Sequence, residues 1–331
     1  MSGGIDSTVS AFLLKEKGYD LLGITMVHLD KEVANKARKV ADDLAIEHKV
    51  YNLTNQFEQQ VINYFCKTYE KCATPNPCVE CNNKIKFGLM LDIALELGCD
   101  MVATGHYARV EYNLDKKRFL LKKGVDKQKD QSYFLYGLNQ HQLSRIVFPL
   151  GDLTKQQVRE IAREKGVENA ETDESQEICF IPGDYRDFLQ DKITYRPGDI
   201  VDLKGNILGK HKGLPFYTIG QRKGLGISAG RIVYVVDIDN KNNRLIVDEE
   251  KHLFSCNLTS NNNNLIYYDK IETPIQVQAK IRYRACPADA TIVMNNDIIE
   301  TVFHEPQRAI TKGQSAVYYI DEYVVGGGVI S

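Results

Sequence analysis

The hydrophobic pattern changes its spacing along the chain and divides it into two kinds of structure. In the first part, short apolar runs alternate with stretches whose apolar residues recur every three or four positions, the spacing of a helix with one buried face. Residues 8–17 carry Val9, Phe12, Leu13 and Leu14 on such a face, and Gly18 supplies a C-terminal stop. Residues 19–27 form a short apolar run after that glycine and read as a buried strand. Residues 31–44 read as a helix with Ala37, Val40, Ala41 and Leu44 on one side, 47–53 as a strand and 57–69 as a helix. Further on, the pattern predicts a helix over about 83–97 and a strand over 100–108 that ends in Gly105 and His106. A hairpin over 109–123 follows, then a helix over 153–165 with Thr154 as its N-cap. Such alternation predicts a parallel sheet with helices on its faces and ligands at the carboxyl ends of the strands. From Gly198 on, short strands alternate with Gly/Asn turns and no long helix is evident, which predicts β-rich domains, small barrels in shape. The expected class is α/β: a parallel-sheet domain over residues 1–188, a central β-rich domain over 189–249 and a β-barrel-like C-terminal domain over 250–331.

Composition narrows the class. A chain of 331 residues, 43% hydrophobic and 26% charged, suits a globular protein of two or three domains. It has no run of 18 apolar residues and no recognisable secretory signal, so a cytoplasmic protein with no membrane partner is expected. With a net charge of −2, nucleic-acid binding would need local basic patches. Candidates are Lys122, Lys123, Lys127 and Lys129, then Lys210 to Lys212, Arg222 with Lys223, and Arg282 with Arg284; each reads equally well as a solvated face. Of the eight cysteines, Cys99, Cys256 and Cys286 lie in apolar or strand-like stretches and read as small core residues. A chain of this size needs no disulfide staples, so the other thiols point to chemistry.

Two stretches carry that chemistry. Ser2-Gly-Gly-Ile-Asp-Ser7 opens a helix; its glycines let backbone N–H groups approach an anion, Ser2 and Ser7 add hydroxyls, and Asp6 can hold a metal ion beside phosphate. An ordinary capped helix is the competing reading. Thr74-Pro-Asn-Pro-Cys-Val-Glu-Cys81 contains two prolines and reads as a loop, with Cys78 and Cys81 at or just before the next helix, where a thiolate is stabilised. A Cys-x-x-Cys pair is half a zinc site, a redox pair, or a catalytic thiol with a neighbour. Cys179, between apolar neighbours, reads alone as a core cysteine. The glycine-rich, basic stretch 208–226 lacks core periodicity and either faces RNA or forms a hairpin with a solvated basic edge.

In order along the chain, Ser2–Ser7, 74–87, 103–108, 129–132, 175–181, 211–226, 280–284 and 313–316 together resemble the tRNA-specific 2-thiouridylases. The resemblance implies a pyrophosphate-loop, adenine nucleotide alpha hydrolase-like fold. It implies ATP-dependent adenylation of the C2 oxygen of wobble uridine, followed by sulfur transfer from a cysteine persulfide. Substrate and cofactor would be ATP and Mg²⁺, and the partners tRNA and a persulfide sulfur carrier or cysteine desulfurase. By this likeness Ser2, Gly3, Gly4, Asp6, Ser7, Met26 and Gly105 bind ATP. Cys179 carries the persulfide, and Cys81 attacks it or closes a disulfide with Cys179; low thiolate pKa values would suit both. Asn76, Pro77 and Cys78 border the flipped base, while His106, Lys129, Asp130, Gln131, Arg282, Tyr283 and Gln314 match tRNA-contacting positions. Part of the family has Asp, assigned as a general base, where Cys78 stands. An iron–sulfur cluster on Cys78, Cys81 and Cys179 is a second, less favoured option. A different pyrophosphate-loop enzyme, such as an amide-forming synthetase, is the alternative function. In that family a strand precedes the loop; here the chain opens at Met1, so weakened ATP binding is expected.

Overall fold

The computed structural model describes residues 1–28, 32–167, 178–181, 183–228 and 230–331. Helix Ile5–Glu16 leaves the glycine loop at Gly4, its extended N-cap, and is followed by Gly18 at φ +82°. Strand Leu22–Val27 pairs in parallel with Glu47–Asn52, and helix Glu32–Asp43 connects them. A second parallel pair joins Val102–Ala103 to Ile146–Val147. Among the described residues the expected parallel sheet is therefore present as two separate pairs, with no ladder between them.

That separation corrects two expectations. Within Leu22–Val27 only Gly23 and Thr25 are buried, and the strand expected over 100–108 shrinks to two residues. A parallel strand paired on one side only lacks the cover that normally buries it. Met1 lies along the open edge of Leu22–Val27: its amine donates to the Ile24 carbonyl, and Thr25 Oγ1 donates to the Met1 carbonyl at 2.8 Å. A β-forming segment of about 8–10 residues placed ahead of Met1 is expected to pair with this edge, raise the thermal midpoint and tighten ATP binding. Equal midpoints and equal ATP affinities would show the added strand to be dispensable.

The helix carrying the Cys-x-x-Cys pair begins earlier than expected. Asn76 is its N-cap and Pro77 its first residue, a position where a missing N–H costs nothing. It then runs on through Pro77–Glu80, a π-helical stretch Cys81–Leu89, and Met90–Glu96. Cys81 thus lies in the helix, past its first turn. This helix is shared by two cores. Cys81 and Ile85 pack with Phe180, Phe216 and Val235, while Val79 and Phe87 pack with Tyr133, Val317 and Tyr319.

The N-cap predicted at Thr154 is present, and the structure makes it a capping box: its hydroxyl accepts from Gln157 N at 3.3 Å at the start of Lys155–Glu164. Beyond helix Tyr185–Gln190, strands Gly198–Val201, Ile207–His211, Tyr234–Asp239 and Arg244–Asp248 make one four-stranded sheet. Phe254–Leu265, Ile275–Lys280, Ala288–Asn295, Ile298–Arg308, Ser315–Ile320 and Tyr323–Ile330 form a barrel, closed by pairing of its first and last strands. Hairpin Ala108–Asn113/Arg118–Lys123 is attached to that barrel through Lys122 and Tyr323. Cys286 is exposed and Cys99 and Cys256 half-buried, so none is the core residue expected; Cys66 is the buried one of that kind. Among the described residues no helix is long and apolar enough to cross a membrane.

Candidate active site

The glycine loop is built by its own hydrogen bonds. Ser2 N donates to Ser7 Oγ at 3.2 Å, and Ser7 Oγ donates to the Gly4 carbonyl at 3.0 Å. Gly3 adopts φ +71°, and a Cβ there would stand 2.6 Å from Lys36 Cβ, so only glycine fits. Gly4 caps the helix without a side-chain bond, which leaves the first N–H groups open to an anion. Gly105 closes the loop from the other side; a Cβ there would be 2.9 Å from the Asp6 backbone. Met26, half-buried at the end of its strand, packs on the core that contains Cys81.

Asp6 has two partners the sequence did not reveal. Lys155 Nζ lies 2.8 and 2.9 Å from its two carboxylate oxygens, and Tyr107 donates its hydroxyl to Oδ1 at 2.8 Å. Lys155 is only 7% exposed. It follows a good N-cap, so in sequence it looks like an ordinary helix start; only the fold brings it across 149 positions to Asp6.

Cys78, Cys81 and Cys179 come together. Each lies within electrostatic reach of the others, Phe180 beside Cys179 shares a core with Cys81, and all three thiols are free. Cys179 is exposed, not the core residue its neighbours suggested, because Phe180 and Ile181 take the buried places. Cys78 is exposed and Cys81 buried. The lowered thiolate pKa values expected from the helix start are not found. Surrounding protein pushes all three thiols up, Cys179 to about 11, and Lys86 opposes the rise in part. Of the stretch 175–181, residues 175–177 lie outside the described residues.

Several positions matched to tRNA contacts turn inward. Asp130 accepts from Gly124 N, Ser132 N and Ser132 Oγ at 3.0, 3.1 and 2.9 Å. Gln131 Oε1 accepts from Tyr107 N at 3.0 Å, which fixes the segment carrying His106. His106 is buried against Phe87 and Phe148, with Nδ1 2.8 Å from Thr104 Oγ1; burial first, then Lys86, keeps its pKa well below the usual value. Gln314 Nε2 donates to the Thr74 and Pro75 carbonyls at 3.2 Å each, and Asn76 Nδ2 donates to Ser315 Oγ at 3.4 Å. The barrel therefore braces the segment before Cys78. Arg282 donates to the Arg308 carbonyl at 2.7 Å, and Tyr283 stacks obliquely on Phe134 with centroids 4.5 Å apart. Lys129 and Tyr283 remain half-buried. The basic stretch 208–226 is split: residues 213–217 are core, whereas Arg222 and Lys223 are exposed. Its glycines hid Leu214, Phe216 and Tyr217 from a periodicity reading.

Three family descriptions match consecutive parts of the chain: a tRNA methyl transferase HUP domain over residues 1–183, a tRNA methyl transferase PRC-barrel domain over 186–249, and an aminomethyltransferase beta-barrel domain over 255–330. The tRNA-specific 2-thiouridylase MnmA of Syntrophomonas wolfei is 54% identical over 331 residues, covering 100% of this chain and 98% of the relative. The chain belongs to the tRNA-specific 2-thiouridylase family. The relatives of that name in Carboxydothermus hydrogenoformans and Acetivibrio thermocellus are 46% and 47% identical over 349 aligned positions, covering 100% of this chain and 96% and 97% of theirs.

Two groups associated with the fold can be tested against the donors present. Both Asp6 oxygens are engaged by Lys155, so the loop's acid offers a divalent cation no free carboxylate. Among the described residues no three Cys, His, Asp or Glu side chains are placed as ligands of one metal ion.

Proposed function

We propose that this 2-thiouridylase-family protein adenylates the C2 oxygen of the wobble uridine of tRNA and replaces it with sulfur carried on Cys179. The convergence of Cys78, Cys81 and Cys179 beside the strand end that carries Met26 supports this reading most directly. In the first step the uridine O2 attacks the α-phosphorus of ATP and pyrophosphate leaves. The open N–H groups after Gly4, with Ser2 and Ser7, bind the phosphates, and Met26 and Gly105 bound the nucleoside side. Positive charge at the loop is supplied by Lys155. Asn76, Pro77 and Cys78 border the unstacked base, in keeping with the need to take a base out of its stack before modifying it.

In the second step a persulfide donor first places a sulfur on Cys179, which its exposure permits. Cys81, beneath it, then gives up its proton and attacks Cys179 Sγ. The two cysteines become a disulfide, and the outer sulfur leaves as hydrosulfide, attacks C2 and expels AMP. A thiol reductant restores both cysteines. Cys78 takes the place of the family's aspartate and exchanges a proton at the base. Lys129, Arg222, Lys223 and Tyr283 supply the exposed or half-buried contacts to tRNA; Asp130, Gln131 and Gln314 position the site from behind.

The test is nucleoside mass spectrometry of tRNA after incubation with the protein, ATP and a persulfide source. 2-Thiouridine at the wobble position, dependent on both ATP and persulfide, is expected. ATP cleavage to AMP with nitrogen, not sulfur, appearing in the product would favour an amide-forming synthetase instead.

A further inference from the structure

The turn at residues 126–129 carries a carboxylate that serves two elements at once. Asp126 is half-buried. Its Oδ1 accepts from Gln128 N at 3.0 Å and from Lys129 N at 3.3 Å, which closes the turn. Its Oδ2 accepts from Lys155 N at 2.9 Å. That N–H is the first of helix Lys155–Glu164, a donor with no partner inside the helix. The Thr154 cap takes Gln157 N and leaves the Lys155 N–H to Asp126. Lys155 in turn reaches with Nζ to both oxygens of Asp6. A second tether leaves the other end of the segment. Gln131 N donates to the Tyr107 carbonyl at 2.9 Å, and Gln131 Oε1 accepts from Tyr107 N at 3.0 Å. The buried Tyr107 then donates its hydroxyl to Asp6 Oδ1 at 2.8 Å. Both ends of segment 126–131 are thus tied to the one acid of the glycine loop.

The surface of that segment is positive. Lys127 is exposed and Lys129 half-buried, while the segment's acids, Asp126 and Asp130, are engaged by backbone N–H groups. Next to it, Lys123 Nζ lies 4.5 Å from the centre of the Tyr319 ring, and Lys280 Nζ lies 5.5 Å from that of the half-buried Tyr283. Lysines beside an accessible aromatic ring suit a polyanion that carries bases, the tRNA of the function proposed above.

We propose that Asp126 is a positioning residue that couples the tRNA and ATP sites: one of its oxygens holds the basic turn, and the other holds the helix start that carries Lys155. The proposal rests on the tRNA- and ATP-dependent reading above. A polyanion bound at Lys127 and Lys129 restrains the turn, and Oδ2 passes that restraint to Lys155 and the phosphate loop. By linkage the effect is reciprocal, so each substrate tightens the other by the same factor. A carboxylate is needed because each of its oxygens must accept. Asparagine has one such oxygen, and its amide nitrogen would set donor against donor at the other contact. Asp126→Asn therefore keeps one tether and breaks the link between the two.

The test measures binding, not turnover. α,β-Methylene-ATP, whose α–β bridge resists cleavage, is titrated calorimetrically into the full chain with and without unmodified tRNA transcript, as wild type and as Asp126→Asn. In the wild type the transcript should tighten the analogue at least about fivefold, and the analogue should tighten the transcript equally. In Asp126→Asn each ligand alone should bind within about threefold of wild type, while the mutual effect falls to about twofold or less, carried by Gln131 and Tyr107. A lower thermal midpoint with an undiminished mutual effect would overturn the proposal and leave Asp126 as a turn and cap residue. Independent binding of the two ligands in the wild type would overturn it as well, and thiolation by that same protein would leave the proposed function standing. If Asp126→Asn does not fold, hydrogen exchange of the wild type gives the answer. The transcript alone should slow exchange in peptides covering Lys155, and the analogue alone in peptides covering 126–131. Absence of this cross-protection would refute the coupling.

Discussion

Cys179→Ser should reduce 2-thiouridine formation to background, a loss of roughly a thousandfold or more, while tRNA-dependent pyrophosphate release stays within a few-fold of wild type. Serine matches cysteine in shape but cannot form a persulfide, so only the sulfur step is removed. Cys179 is exposed and Cys81 buried, and in the proposed scheme they act at different moments of the reaction. Cys81→Ser should therefore still accept sulfur on Cys179, and the persulfide should accumulate there, visible by intact-protein mass spectrometry, without discharge to tRNA. Wild-type thiolation by either serine variant, with free sulfide excluded, would overturn the sulfur-relay scheme.

Lys155→Met should weaken ATP binding about 10- to 100-fold and destabilise the fold by about 2–3 kcal/mol. Its Nζ bridges both oxygens of Asp6 at 2.8 and 2.9 Å from a nearly buried position. Removing one member of a buried pair leaves the other uncompensated, which costs about 3–5 kcal/mol when both are buried. Asp6 is 27% exposed on its side chain, so water recovers part of that. The double variant Asp6→Asn/Lys155→Met separates two effects. Thermal stability should recover toward wild type, because no lone charge remains, whereas ATP affinity should not, because the positive charge at the loop is still missing. Isothermal titration and thermal melts of the four proteins make a complete cycle. Unchanged affinity in Lys155→Met would confine that residue to a structural role.

Particular residues show where sequence reading succeeds and where it stops. Gly18 and Thr154 mark helix ends because capping depends on neighbours within a turn. Pro77 misled: two prolines in four residues look like a loop, yet the second opens a helix because its missing N–H is not needed at the first position. Cys286 and Cys179 were both misjudged on burial, since burial depends on which segment packs above and not on the flanking residues. The inward turn of Asp130, Gln131 and Gln314 was likewise invisible, because a side chain with donors looks the same in sequence whether its partner is backbone or RNA.

The sequence by itself determined the order of helices and strands, the switch to β structure after the α/β part, the glycine loop that opens the first helix, and the motifs that place the chain in its family. These are local properties: periodicity, turn residues and spacing act over a few positions and need no partner from elsewhere. Only the tertiary structure decided that the parallel sheet stands as two pairs, that Lys155 holds Asp6, and that the barrel braces the segment before Cys78. It also decided that the three thiols are raised rather than lowered, with Lys86 as the charge that opposes the rise. These depend on which groups lose water and which segments meet, in two cases across more than a hundred residues, and desolvation and long-range contact exist only once the chain has folded.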